Sequence, residues 1–128
     1  MPAVNFMKQF AEDVRTGRKL QTIRDGQRFK VGDRFAGFTG MRTKACEKLV
    51  ESVVTQADEI RVDGVLHTCH VLGAQLTRDQ VESLARADGF PHATAFFAFF
   101  ARRGPLRGQL IRWAPRPLSN PKTETPTL

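Results

Sequence analysis

"LVESVVTQADEIRV", residues 49–62, is the stretch whose reading settles the class of fold. β-Branched side chains recur through it, which favours extended backbone. The pattern predicts one long strand, or two with an irregularity between them. Directly after it, Asp63-Gly64 within "VDGV" is a hairpin signal, and "VLHTCHVLG" (65–73) returns as the partner strand. An antiparallel hairpin at the centre of the chain argues against a parallel βαβ array.

Upstream of this hairpin, "MRTKACEK" (41–48) is a basic connection, and "FKVGDRFAGFTG" (29–40) contains the turn Val31-Gly32-Asp33 followed by a strand carrying Phe35 and Phe38. "LQTIR" (20–24) is a short strand bounded by charge, and "AVNF" (3–6) an opening strand. Between them "MKQFAEDVRTG" places Phe10 and Val14 at i,i+4, with Phe6 one turn earlier, and stops at Gly17, the pattern of a short amphipathic helix. Downstream, "LTRDQVESLARADG" starts a helix with Thr77 as N-cap and Gln80 at the capping-box distance, buries Val81, Leu84 and Ala85, and ends at Gly89. "FPHATAFFAFFARRG" follows as a helix with Pro91 near its start and Gly104 past its end, and "GQLIRW" (108–113) is the last strand. The order β-α-β-β-β-β-α-α-β predicts an α+β domain over 1–113: a small mixed, mostly antiparallel β-barrel closed by the terminal strands and flanked by helices. Pro/Thr/Ser-rich residues 114–128 are expected to be a disordered tail.

A chain of 128 residues with 41% hydrophobic content and ten Phe has the material for one core. No apolar run approaches the ~20 residues of a membrane span, and the N-terminus lacks a secretory stretch, so a cytoplasmic monomer without membrane contact is expected. Cys46 and Cys69 suggest reduced, buried thiols rather than a disulfide framework. Charge is segregated: residues 15–48 hold ten Lys/Arg against three Asp/Glu, residues 49–101 three against seven, and residues 102–128 six against one. Segregated positive charge is the footprint of a polyanionic partner such as RNA or a nucleotide, against the plainer reading of solubility.

Chemistry is most concentrated in "GRKLQTIRDGQRFKVGD" (17–33). Strand alternation sets Thr22 and Arg24 on one face and Gln21 and Ile23 on the other, with Lys19 folding over the Thr22 face. A lysine that loses its proton near neutral pH activates a hydroxyl, and Arg18 and Arg24 beside Lys19 push it that way. The alternative is that these cations simply hold phosphate or face solvent. In "RADGF", Asp88 sits at a helix C-terminus, where the helix dipole raises a carboxyl pKa and suits it to acid–base work, unless it only forms the turn before Gly89. "HTCH" (67–70) is no metal site, since alternation parts His70 from His67 and Cys69; no metal and no cofactor is expected. "FFAFF" (96–100) reads as core rather than a base-stacking platform, while Trp113 is open to either role.

Taken together, "GRKLQTIRD…FKVGDRFAGFTG", "CEKLVESVVTQADEIRV" and "ADGF…F…F…GQLIRW" resemble the ASCH domain family, a branch of the PUA-like fold, from about Val4 to Trp113. The most specific element is GxKxxTIR, here Gly17, Lys19, Thr22, Ile23 and Arg24. The resemblance implies a small β-barrel flanked by helices with a cleft beside the motif strand. It implies an RNA- or nucleoside-binding protein, and in small bacterial members an amidohydrolase acting on acetylcytidine; other members are ribonucleases or RNA binders. By this resemblance Thr22 is the nucleophile, Lys19 its base and Asp88 the proton shuttle, although the family carries Glu where this chain has Asp88. Arg18, Arg24, Lys30, Arg42 and Lys44 are then the contacts to phosphate or base. A non-catalytic RNA-binding module using the same basic cleft stands as the alternative.

Overall fold

The computed structural model describes residues 1–114. The tail expected over 114–128 therefore lies outside the described residues except for Ala114, whose N–H donates to the Val53 carbonyl at 3.3 Å.

The central stretch forms a single strand, β4 (Glu47–Asp63), which is the spine of the molecule. Its first half pairs antiparallel with β3 (Arg34–Thr39), which is paired in parallel with β1 (Ala3–Phe6). Its second half pairs with β7 (Leu106–Trp113) on one side and β5 (Thr68–Val71) on the other. Beyond β7 lies β2 (Gln21–Asp25), and beyond β5 the two-residue β6 (Ala74–Gln75), which is too short to show a pattern in sequence. The helices are α1 (Lys8–Thr16), α2 (Arg78–Ala87) and α3 (Ala93–Ala101).

The irregularity expected in β4 lies at Thr55, where the register against β7 shifts between Val54 and Gln56. One extra residue reverses which side chains face which way. Before it, even-numbered Val50 and Val54 enter a core shared with Phe6, Phe35, Ile111 and Trp113. After it, odd-numbered Ala57 packs against that same core, while Ile60 and Val62 turn to a second core with Cys69, Leu84, Phe96 and Leu110. Adjacent Leu110 and Ile111 of β7 likewise serve opposite cores, so this strand is covered on both faces.

The helix signals act as read. Gln80 N–H donates to Thr77 Oγ1 at 3.2 Å and Thr77 N–H to Gln80 Oε1 at 2.8 Å, completing the capping box of α2. At α3, His92 is the cap, its Nδ1 accepting from Ala95 N–H at 3.1 Å. The hairpin after β4 turns through Asp63, whose Oδ1 accepts from the N–H groups of Val65 and Leu66. Gly64 is required there by proximity: a Cβ would stand 2.3 Å from the Phe97 carbonyl oxygen of α3.

Backbone pairing stops short of the expected closed barrel. No ladder joins β1 to β2; the gap is spanned by a side chain, the Arg24 guanidinium of β2 donating to the Asn5 carbonyl of β1 at 2.8 Å. Residues of both strands, Asn5 and Phe6 of β1 and Thr22 to Asp25 of β2, line the cavity described below. Among the described residues no helix is long and apolar enough to cross a membrane.

Candidate functional site

α1 ends at Gly17 in the left-handed conformation (φ 83°), which turns the chain towards β2. Lys19 N–H donates back to the Asp13 carbonyl at 2.9 Å, fixing that turn. From there the Lys19 side chain runs inward to the C-terminus of α2. Its ammonium donates to the Asp88 carbonyl oxygen at 2.5 Å and to Asp88 Oδ1 at 3.1 Å, and stands 4.9 Å from the centre of the Phe10 ring. Both side chains are almost wholly buried, Lys19 at 2% and Asp88 at 5% exposure. A cation at the last carbonyls of a helix is favourable in itself. Gly89, at φ +100°, lets the chain leave α2 here, since a Cβ would meet Phe10 at 2.8 Å.

Gln21 completes this cluster. Its Nε2 donates to Asp88 Oδ1 at 3.2 Å and to the Leu84 carbonyl at 3.4 Å, and its Oε1 accepts from Arg112 Nε at 3.3 Å. Lys19 and Gln21 therefore meet on the same oxygen, Asp88 Oδ1. Thr22 is buried with Arg24 as its partner: Arg24 Nε donates to Thr22 Oγ1 at 3.2 Å, and the guanidinium lies 5.0 Å from the Phe6 ring centre.

These groups nonetheless share one space. A cavity of about 410 Å³ is lined by Lys19, Thr22, Arg24 and Asp88, walled by Phe10, Phe90 and Phe99, and bordered by Asn5, Asp25 and Arg103. Of the "FFAFF" run, Phe96, Phe97 and Phe100 are buried, as the core reading requires; half-buried Phe99 faces the cavity and carries the Arg103 guanidinium at 3.8 Å. Trp113 is buried against Phe6 and Phe35.

Burial governs the electrostatics. It pushes the Lys19 ammonium below its ordinary range; Asp88 draws it back up and Arg24 adds to the depression. Burial likewise raises the Asp88 carboxyl, opposed by Lys19, by the Gln21 hydrogen bond and by Arg24. The cause at Asp88 is thus chiefly desolvation, where the sequence pointed to the helix dipole. Arg18 is not among the residues lining the cavity: it is exposed and pairs with Asp13 at 2.9 Å.

The remaining expected contacts are not gathered in the cavity. Lys30 lies in the turn before β3, beside Asp33 and Val54, at the end of β3 away from Asn5. Arg42 and Lys44 are exposed on the loop 40–46, which is tied to the cavity's border by Met41 N–H donating to Asn5 Oδ1 at 3.0 Å. His67 stacks on Phe97 at 4.9 Å in the hairpin loop, while Cys69 is fully buried, its thiol pushed up to about 12 by burial. Cys46, expected to be buried, is exposed. Sequence reasoning passed over Gln21, which carries no charge to mark it, and Asn5 and Arg103, which only the fold brings to the cavity. Comparison with models of known families, with curated proteins and with solved structures finds no match.

Proposed function

We propose that this is a domain of the ASCH type, with a PUA-like barrel left open between β1 and β2, acting in the cytoplasm on RNA or a nucleoside held beside β2. The observation that carries the reading is the convergence of Lys19, Thr22, Arg24 and Asp88 on one aromatic-walled cavity of about 410 Å³, a size suited to a single nucleoside. A buried Lys–Asp pair driven by burial towards its neutral forms suits proton transfer near pH 7. In the proposed reaction Thr22 Oγ attacks an acyl carbonyl and gives its proton to neutral Lys19. The C–N or C–O bond to the nucleoside breaks, and Asp88 relays the proton to the leaving atom. Water then cleaves the acyl–threonine ester and restores the hydroxyl.

The test is a panel of acylated nucleosides and short RNAs offered to wild type and Thr22→Ala. Turnover by wild type, lost in Thr22→Ala with ligand binding retained, is the expected result; absence of both turnover and binding overturns the reading.

One observation favours a second reading. Thr22 Oγ1 is bonded to Arg24 and Lys19 Nζ to Asp88, an arrangement that equally serves a non-catalytic RNA-binding module. In that case Lys19→Ala weakens RNA binding modestly and lowers its salt slope by about one, and Thr22→Ala changes nothing that is turned over.

A further inference from the structure

We infer that the cavity takes a ligand bearing a compact terminal oxyanion, a carboxylate or a phosphate monoester, seated on Arg24. This deepens the reading of a nucleoside-sized ligand and rests on it only for the remainder of that ligand.

The argument starts from charge. Charged or neutral, the Lys19–Asp88 pair carries no net charge, which leaves Arg24 as the unmatched cation beside it on the cavity wall. The Asp88 carboxylate is already committed, its Oδ1 accepting from both Lys19 and Gln21. Arg24 makes only neutral contacts: Nε to the Thr22 hydroxyl, one Nη2 hydrogen to the Asn5 carbonyl, and its face to the Phe6 ring. It forms no ion pair among the described residues. Asp25, the other carboxylate bordering the cavity, is exposed and likewise unpaired there. Across the cavity Arg103 is fixed in the same manner, stacked on Phe99 and donating to the Phe99 carbonyl at 3.2 Å.

A guanidinium removed from water without a counter-ion is costly. Four exposed arginines of this molecule, Arg15, Arg18, Arg86 and Arg107, pair with carboxylates. Arg24 is instead immobilised by neutral groups, which leaves its Nη1 hydrogens and the second Nη2 hydrogen for an oxyanion. Its position selects the kind of ligand. Arg24 is half-buried behind Asn5, Phe6 and Thr22, so the group that reaches it is the end of a molecule that enters the cavity. The backbone of a continuous strand would instead be met by exposed side chains.

Isothermal titration of wild type with cytidine, cytidine 5′-monophosphate, cytidine 5′-carboxylate and an oligocytidylate lacking terminal phosphates decides the matter, none of the four having an acyl bond to lose. At least one acidic nucleoside is expected to bind about tenfold or more tightly than cytidine, and the acidic arm that wins separates phosphate from carboxylate. Arg24→Gln should erase this preference. Arg24→Lys, which keeps the charge and the fold but loses the fork, should reduce it severalfold. Equal binding of cytidine and both acidic forms overturns the inference, as does tighter binding of the oligonucleotide than of either. Turnover of acylated nucleosides without acidic preference defeats this inference and leaves the hydrolase reading standing; acidic preference without turnover does the reverse.

Discussion

The β2–β7 pair carries two buried polar clusters, one near each end, and they are built on opposite principles. Near the Asp25 end, Gln109 accepts from Phe29 N–H at 2.9 Å and donates to the Phe29 carbonyl at 2.8 Å. Both halves of its amide are satisfied by main chain, and nothing is left over. Near the other end, Lys19, Gln21, Asp88 and Arg112 form a charged chain that opens on a cavity with positive charge in excess. A neutral and fully satisfied lock explains itself as architecture, since it only replaces hydrogen bonds that water would make. A buried charged cluster is rarely the most stable solution available, so its presence calls for a role besides stability.

Breaking the charged end is expected to do the most damage. Asp88→Ala strands the Lys19 ammonium in the interior, and denaturant unfolding should show a loss of about 3–5 kcal/mol. The double variant Lys19→Met/Asp88→Leu should recover most of that loss; if it unfolds as easily as the single variant, the pair is not the reason. The same contrast should appear with pH. Burial holds Asp88 above its ordinary value of 3.8, so the stability it confers is present below that pH and lost as pH rises through the folded-state value. Lys19 is held below 10.5, so stability returns as pH climbs from its folded-state value towards 10.5. Melting temperatures of wild type relative to the double variant should therefore pass through a minimum between these limits; a flat difference would remove the electrostatic account.

Breaking the neutral end should cost less and ignore pH. Gln109→Ala leaves the Phe29 N–H and carbonyl unpaired, for a loss of about 1–3 kcal/mol, equal at pH 5 and pH 8, with cavity ligands bound as before. A smaller effect, about 1 kcal/mol, is expected of Thr77→Ala, which removes one half of the α2 capping box far from the Lys19 end of that helix. Smallest of all are Arg18→Ala and Lys30→Ala. Both side chains lie outside the cavity, and stability should stay within about 0.5 kcal/mol of wild type. A marked loss of ligand binding in either would show that the site extends beyond the cavity.

Element type was legible wherever a local rule decided it: the helix stops at Gly17 and Gly89, the Thr77–Gln80 box, the Asp63-Gly64 turn and the irregular centre of β4. Barrel closure was not, because it depends on whether the edge strands β1 and β2 meet, a long-range pairing that no short-range pattern encodes. Within the site, Lys19, Thr22, Arg24 and Asp88 could be named from the sequence, but their pairing could not. Alternation along the strand does not reveal that the Lys19 ammonium runs to the C-terminus of α2, where it meets Asp88, a partner 69 residues away in the chain. Arg18 and Lys30 show the opposite failure: charge density along a chain does not say which charges a fold will bring to one wall.

Thr55 is exposed and touches neither core, yet it sets the count by which one strand serves both. Exposed side chains such as this one tolerate most replacements. Its place in the chain is fixed: remove that single residue and Ile60 and Val62 turn outward together. The strand thus tolerates spelling changes at this point but not a change in length, and a comparison of related chains would show variation there without gaps.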